Sequence, residues 1–268
     1  MRVVEAMTKF LGENFNGDAV PSHIGTDRDL LVQEMTGTDP YKELKHQSNE
    51  MALSILPELQ KLVDENDSPK QRFRTATLIA AAANAIEFDV AGRDFSLGEL
   101  KLILENVEND LVIDQVEEFR GHVKNVSEVL YLMDNAGEIV LDMILIRELK
   151  RLGPRVVAVV KSGPVLNDAT MIDAVDVGLM DCADEVGETG VAAIGVNLDR
   201  SSEGFKRVFA SAELIVAKGM GNYESLTEFN PTCPTIHILR TKCAPVAEHI
   251  GVSRNKNVVL IRVPQDSH

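Results

Sequence analysis

The chain has 268 residues, 44% of them hydrophobic and 26% charged, which is enough to bury a sizeable core. Its 27 basic and 42 acidic residues give a formal net charge of −15, which argues against binding to nucleic acids or to an anionic membrane surface. Three cysteines without metal-ligand spacing, no run of about 20 apolar residues and no signal-peptide stretch predict a cytoplasmic protein that neither spans a membrane nor is secreted.

The N-terminal part of the chain has the pattern of successive helices. From Asp27 to about Asn125, apolar residues recur at three- and four-residue spacing, and turn signals separate the segments. Pro40 and Pro69 are at positions typical of a first helical turn. We therefore expect residues 1–125 to form an N-terminal all-helical domain.

After Lys124 the pattern changes to short apolar runs rich in β-branched residues, which is typical of buried strands. These runs are VSEVLYLM, RVVAVVK, AELIVAK, TIHILR and NVVLIRV. The amphipathic segment GEIVLDMILIRELKRLG lies between the first two and completes a βαβ unit. Residues 126–268 are therefore predicted to form an α/β domain with a mostly parallel, Rossmann-like, three-layer sheet.

Acidic and amide side chains follow the first two predicted strands, at the sheet edge where such folds bind ligands. Asp134 and Asn135 come after VLYLM, and Asp168 comes after VVAVVK. If the two strands are neighbours, two carboxylates and an amide oxygen meet there, and such oxygen ligands suit Mg²⁺ or Mn²⁺ better than zinc. The alternative is that these residues only cap the following helices. The two interpretations are compatible, because a capping residue can also face a ligand.

Lysines and glycines follow two later strands. In KGMGN, Gly219 and Gly221 come directly after a strand, where backbone N–H groups can bind an anion and Lys218 can add a charge. Lys242 follows TIHILR. Each feature alone is also consistent with a turn or strand end that carries a solvated lysine. Together with the acidic loops at the same sheet edge, they favour a site for phosphate and a metal.

Asn84 and Glu87 lie three residues apart in an otherwise alanine-rich helical segment, and therefore on nearly the same side of the helix. They either bond to a neighbouring helix or contact a substrate at the sheet edge. The six histidines show no metal-binding spacing, so none is chosen as a catalytic base. The three cysteines are interpreted as small buried hydrophobic residues, and the alternative for Cys243, beside Lys242, is an active thiolate.

Several of these segments, in this order and at these intervals, resemble the DUF89 family of ARMT1-like damage-control phosphatases, in its stand-alone archaeal-type branch. The segments are TGTDPYKELK, NAIEF, DNAGE, PVLNDAT, KGMGNYE and RTKCAPVA. The resemblance runs from about residue 30 to residue 263. The chain differs from the branch in lacking a Cys-x-x-Cys near its start, in having Met220 where glutamine is usual, and in having Glu87 where aspartate is usual.

The resemblance implies a helical portion on an α/β sheet, one divalent metal (Mn²⁺, Mg²⁺, Co²⁺ or Ni²⁺) and phosphatase activity on sugar phosphates or damaged phosphometabolites. It implies Asp134, Asn135 and Asp168 as metal ligands. The implied phosphate or substrate contacts are Lys218, Gly219, Gly221, Asn222 and Lys242, with Asn84 and Glu87 facing the pocket from the helical side.

The expected reaction is metal-assisted hydrolysis of the phosphomonoester of a small metabolite. Asp134 or Asp168 would orient the attacking water, and the sequence also leaves open a role for Asp134 as covalent nucleophile. A second hypothesis is a carboxyl methyltransferase that uses S-adenosylmethionine, although DNAGE stands where a glycine-rich GxGxG is expected. A third hypothesis is a non-catalytic metabolite-binding protein. Three oxygen ligands beside two lysines argue against it, because that combination suits a metal and an anion.

Overall fold

The computed structural model describes residues 2–17, 20–83, 97–229 and 231–264. The helices in these ranges are α1 (Arg2–Asn14), α2 (Pro21–Thr36), α3 (Lys42–Asp64), α4 (Pro69–Ala83), α5 (Leu97–Asn109), α6 (Val116–Val123), α7 (Glu138–Arg151), α8 (Met171–Asp176), α9 (Leu179–Cys182), α10 (Glu203–Ser211), α11 (Gly219–Thr227) and α12 (Ala244–Ile250). The strands are β1 (Leu111–Asp114), β2 (Glu128–Leu132), β3 (Arg155–Val160), β4 (Glu185–Glu188), β5 (Ile215–Lys218), β6 (Thr235–Arg240) and β7 (Asn257–Arg262).

The strands form one sheet in the order β1-β7-β6-β5-β2-β3-β4. Every neighbouring pair is parallel except β6 and β7, which run antiparallel. The predicted α/β fold class, with a mostly parallel sheet and a helical N-terminal region, is confirmed. The two edge strands β1 and β4 were not predicted, because each has only four residues and neither is a continuous apolar run.

Strand β1 lies within the segment that was expected to be helical, and it pairs with β7 near the other end of the chain. The sheet therefore takes residues from both sides of the predicted boundary at residue 125. The division of the chain into two domains at that position stays a prediction.

Side chains alternate between two apolar layers across the sheet, as the period of a strand requires. In β2, Val129 and Tyr131 pack into the cluster formed with α3, α4 and α7, whereas Leu130 and Leu132 pack against Phe205 and Phe209 of α10 on the other face. Helix α7 is buried along most of its length, because it lies between the sheet and helices α3 and α4. Helices α3 and α4 therefore form an outer layer over α7.

None of the helices in the described ranges combines the length and the apolar character needed to cross a membrane.

Candidate active site

The loops after β2 and β3 meet at the carboxyl edge of the sheet. Asn135 and Asp168 form an isolated antiparallel β-bridge, and the backbone N–H of Ala169 donates to the carbonyl oxygen of Asp134 at 2.8 Å. The two strands are parallel neighbours, so both loops leave the sheet at the same edge. The structure therefore brings the three predicted metal ligands, Asp134, Asn135 and Asp168, together.

The carboxylates at this edge are buried and destabilise one another when ionised. Asp134 and Asp168 are exposed over only 9% and 5% of their residue surface. Burial, followed by the Glu138 and Asp168 carboxylates, raises the pKa of Asp134 far above its usual value. Burial also raises the pKa of Asp168 to about 6, and the ammonium group of Lys161, 3.7 Å from Asp168 Oδ2, opposes that rise.

The charges near this edge leave room for a divalent cation. Two buried lysines, Lys161 and Lys218, lie beside four buried carboxylates, those of Asp134, Glu138, Asp142 and Asp168. Two negative charges remain if all six groups are ionised, and a divalent cation would balance them. The Oδ2 atom of Asp168 is buried and accepts no hydrogen bond from the described residues, so a lone pair is available for a cation or a water molecule.

An amide oxygen is needed to complete this ligand set. In the described ranges, no three His, Cys, Asp or Glu side chains are grouped so that they could hold a metal ion. The amide of Asn135 lies beside the carboxylates, and its Nδ2 donates to Asp134 Oδ2 at 3.1 Å and to Glu138 Oε1 at 2.8 Å. Turning this amide by half a rotation would exchange Nδ2 for Oδ1 and present an oxygen ligand instead.

Lys218 lies deeper than its expected role as a phosphate contact suggests. Its side chain is fully buried, with Nζ 2.7 Å from Asp142 Oδ1 and 3.5 Å from Glu138 Oε2. Burial alone would lower the pKa of Lys218, but the Asp142 and Glu138 carboxylates outweigh that effect and raise it. Burial raises the pKa of Asp142 to about 6, against the lowering effect of Lys218. In this structure Lys218 neutralises the carboxylates beneath the candidate ligands.

Helix α11 begins directly against Asp134. Gly219 has φ +74°, and a Cβ at this position would overlap the Asp134 carboxylate, so only glycine allows this close approach. Asn222 is buried, and its Nδ2 donates to the carbonyl oxygens of Met133 and Lys218 at 3.0 and 2.8 Å, which fixes α11 to the ends of β2 and β5. The Oδ1 of Asn222 is buried and has no hydrogen-bond partner in the described ranges. The first-turn N–H groups of α11 therefore lie near the candidate ligands.

The remaining predicted contacts are less enclosed or are not described. Lys242 is exposed, and its backbone nitrogen lies 3.2 Å from the sulfur of Met220, so the loop after β6 contacts the first turn of α11. Gly221 lies in that first turn, against Ile194. Asn84 and Glu87 are outside the described residues.

Sequence reasoning missed Asn49, which joins the helical layer to this site. Its Oδ1 accepts a hydrogen bond from the backbone N–H of Gly137 at 2.7 Å, and its Nδ2 donates to Asp173 Oδ1 at 3.0 Å. Lys45, one turn earlier in α3, lies 3.3 Å from Asp173 Oδ2. Two buried polar residues four positions apart on the apolar face of a long helix were the available signal.

Lys161 was also missed, although it follows the buried run of β3 as Lys218 follows that of β5. Its side chain is 4% exposed, and its Nζ donates to the carbonyl oxygen of Gly195 and lies 3.7 Å from Asp168 Oδ2. A lysine that ends a fully apolar strand was the signal for both residues.

A cavity of about 410 Å³ opens between α3 and the loop after β3. Its lining includes Lys45, Ser162, Thr170 and Asp173. None of the three candidate metal ligands is among its described lining residues, so this cavity adjoins the ligand cluster without containing it.

Comparison with known proteins gives one consistent result. A family model described as a damage-control phosphatase ARMT1-like domain matches residues 1–258. An uncharacterized protein of Methanocaldococcus jannaschii is 38% identical over 97% of this chain and 86% of its own length. A damage-control phosphatase of Archaeoglobus fulgidus is 35% identical over 93% of this chain and 85% of its own length. The crystal structure of a DUF89 family protein from Pyrococcus horikoshii superposes with a TM-score of 0.85 at 32% identity, over 97% of this chain and 88% of that one.

Proposed function

Because the chain belongs to the family of damage-control phosphatase ARMT1-like domains, we propose that it is a phosphatase that hydrolyses phosphomonoesters of small metabolites with one divalent metal ion. Sugar phosphates and damaged phosphometabolites are the proposed substrate class. The observation that carries the metal dependence is the meeting of Asp134, Asn135 and Asp168 in a buried cluster with excess negative charge. The name of the A. fulgidus relative supports the reaction class.

The proposed ligands are the carboxylates of Asp134 and Asp168 and the amide oxygen of Asn135. A divalent cation bound there would polarise a phosphoryl oxygen and lower the pKa of a water molecule. The Oδ2 of Asp168, which accepts no hydrogen bond from the described residues, can accept one from that water and orient it. Asp134 as a covalent nucleophile remains the alternative assignment.

The phosphoryl group would be held by the first turn of α11 and by Lys242. Helix N-termini have free N–H groups and a partial positive charge, so Gly219 and Gly221 can bring backbone donors close to phosphate oxygens. Lys242 is exposed and can turn toward a substrate at the rim. We propose that Lys218 acts through the carboxylates of Asp142 and Glu138, which it holds in place, because its Nζ is fully buried between them.

Phosphate release from p-nitrophenyl phosphate and a panel of sugar phosphates tests this proposal. The protein is stripped with EDTA, and Mg²⁺, Mn²⁺, Co²⁺ or Ni²⁺ is added back separately. We expect turnover only with added metal, and we expect Asp168→Ala to lose it. Asp181→Ala, which removes an exposed aspartate from α9, should keep full activity. Metal binding without turnover on any substrate would instead support a methyltransferase or a binding protein.

A further inference from the structure

A second cavity, of about 350 Å³, lies at the end of the sheet opposite the candidate ligands, where the parallel strands begin. It opens where β6 begins and β7 ends, because Thr235 pairs with Arg262 there. The last turn of α11 forms another wall. The described residues that line it are Leu226, Thr227, Pro231, Cys233, Thr235, His237, Arg262, Val263 and Pro264. A cavity of this volume can hold a small metabolite.

The described lining of this cavity carries positive charge and no carboxylate, although the chain has 42 acidic residues. Arg262 supplies that charge. Within the described part of the chain its side chain forms no ion pair, and its one hydrogen bond is donated to Tyr223 Oη at 2.6 Å. Its guanidinium also lies 5.0 Å from the centre of the Tyr223 ring. A guanidinium has five N–H donors, so most of them remain available to a ligand.

His237 adds a buried polar atom that has no partner among the described residues. The residue is 1% exposed and lines the cavity, and its Nδ1 forms no hydrogen bond within the part of the chain that the structure describes. Burial, with a smaller effect from Arg262, lowers the pKa of His237 to about 3, so the ring is neutral near pH 7 and carries one N–H donor. Native proteins leave few buried polar atoms unpaired, so a buried ring nitrogen beside a cavity indicates a missing partner.

We propose that this cavity binds an oxyanion, the phosphate or carboxylate group of a small metabolite, between Arg262 and His237. Guanidinium groups pair well with planar carboxylates and with phosphates, because two parallel N–H donors match two oxygens. Thr227 and Thr235 also line the cavity, but their hydroxyls already donate to the carbonyl oxygens of Glu224 and Cys233, so Arg262 and His237 are the donors on which the proposal rests. The alternative is that Arg262 only stacks on the Tyr223 ring. That stacking does not explain why the buried Nδ1 of His237 lacks a hydrogen-bond partner among the described residues.

Isothermal titration calorimetry of the EDTA-treated full chain tests the proposal, with inorganic phosphate and succinate as separate probes. The wild type is compared with Arg262→Gln and with Arg207→Gln, which removes the same charge from an exposed position on α10. His237→Phe is the second variant, because it removes the ring nitrogens at similar volume. Asp168→Ala separates this site from the candidate active site.

We expect at least one probe to bind the wild type, and Arg262→Gln and His237→Phe each to weaken that binding about tenfold or more. Arg207→Gln and Asp168→Ala should leave the affinity unchanged. Binding of phosphate alone would assign the site to phosphate groups, and binding of succinate alone would assign it to carboxylates. The proposal is overturned if neither probe binds, or if Arg262→Gln or a folded His237→Phe binds both as tightly as the wild type.

Discussion

Lys218 Nζ lies 2.7 Å from Asp142 Oδ1, and neither side chain is exposed to solvent. The pair lies beneath the candidate metal ligands, where Glu138 contacts the same lysine. A buried charge without its partner is costly, so the lysine and its two carboxylates depend on one another. A lysine at the end of a strand can thus stabilise the site through its ion pairs without contacting a substrate, which is the role proposed above for Lys218.

Replacing Lys218 should therefore destabilise the fold. Lys218→Met leaves Asp142 and Glu138 without their cation, and we expect the free energy of unfolding to fall by about 3–5 kcal/mol. The double variant Lys218→Met/Asp142→Leu should recover part of that loss, because it removes a carboxylate together with its partner. Urea unfolding measures both. The exposed Lys242→Met should change stability by less than about 0.5 kcal/mol. Equal effects of the Lys218 and Lys242 variants would contradict the buried ion pair.

Asp168 should make the metal-free protein less stable at neutral pH than at acidic pH. Its pKa is about 6 in the folded protein against a usual value of 3.8, so the folded state holds its proton more tightly than the unfolded state does. The resulting stability is fully present below about pH 4 and is lost as the pH rises through 6. As the pH rises from 4 to 7, the free energy of unfolding of Asp168→Asn should therefore increase relative to that of the wild type, by on the order of 1–3 kcal/mol.

Thermal unfolding in EDTA across this pH range measures that difference. Asp181→Asn, at an exposed position, is the matched control and should stay parallel to the wild type. A constant difference between wild type and Asp168→Asn would show that Asp168 is not held in an unfavourable ionised state.

Gly219 should be sensitive to substitution because of what lies beside it. Gly219→Ala forces a Cβ into the Asp134 carboxylate as well as straining a backbone at φ +74°. Gly178 has nearly the same φ, +77°, but a Cβ there would meet no atom of the described residues within 4 Å. Both alanine variants should lose about 1–2 kcal/mol of stability from strain.

Steady-state phosphate release separates the two variants. Only Gly219→Ala should also lower kcat/KM, by about a hundredfold, because a displacement of about 1 Å in a catalytic group has that effect. Similar activity of the two variants would mean that the Asp134 carboxylate does not need its present position.

Asn49 should affect the reaction although it lies in the helical layer. Asn49→Ala removes the acceptor of the Gly137 N–H and the donor to Asp173, so the loop that carries Asp134 and Asn135 loses its attachment to α3. We expect about 1–3 kcal/mol of destabilisation and a fall in metal affinity of about tenfold or more. Gln47→Ala on the same helix, at a partly exposed position, is the control. Unchanged metal affinity in Asn49→Ala would assign this residue to stability alone.

The sequence predicts the central strands and the loops after them well, because long apolar runs and their flanking polar residues are local signals. Strands β1 and β4 have no such signal and depend on pairing with β7 and β3. The meeting of Asn135 and Asp168 follows from parallel neighbouring strands. The burial of Lys218 cannot be predicted in the same way, because it depends on an ion pair with Asp142, which lies on α7 after a different strand. Asn49 lies 88 residues from its partner Gly137, so only the tertiary structure reveals its contact.

The most direct test of a catalytic metal at Asp134, Asn135 and Asp168 is a Mn²⁺ titration of the EDTA-stripped protein. Electron paramagnetic resonance counts the bound ions, and phosphate release is measured on the same samples. We predict one Mn²⁺ per chain, turnover that rises in proportion to bound Mn²⁺, and loss of both in Asp168→Ala. Full turnover without bound metal, or equal Mn²⁺ binding by Asp168→Ala, would contradict the proposed site.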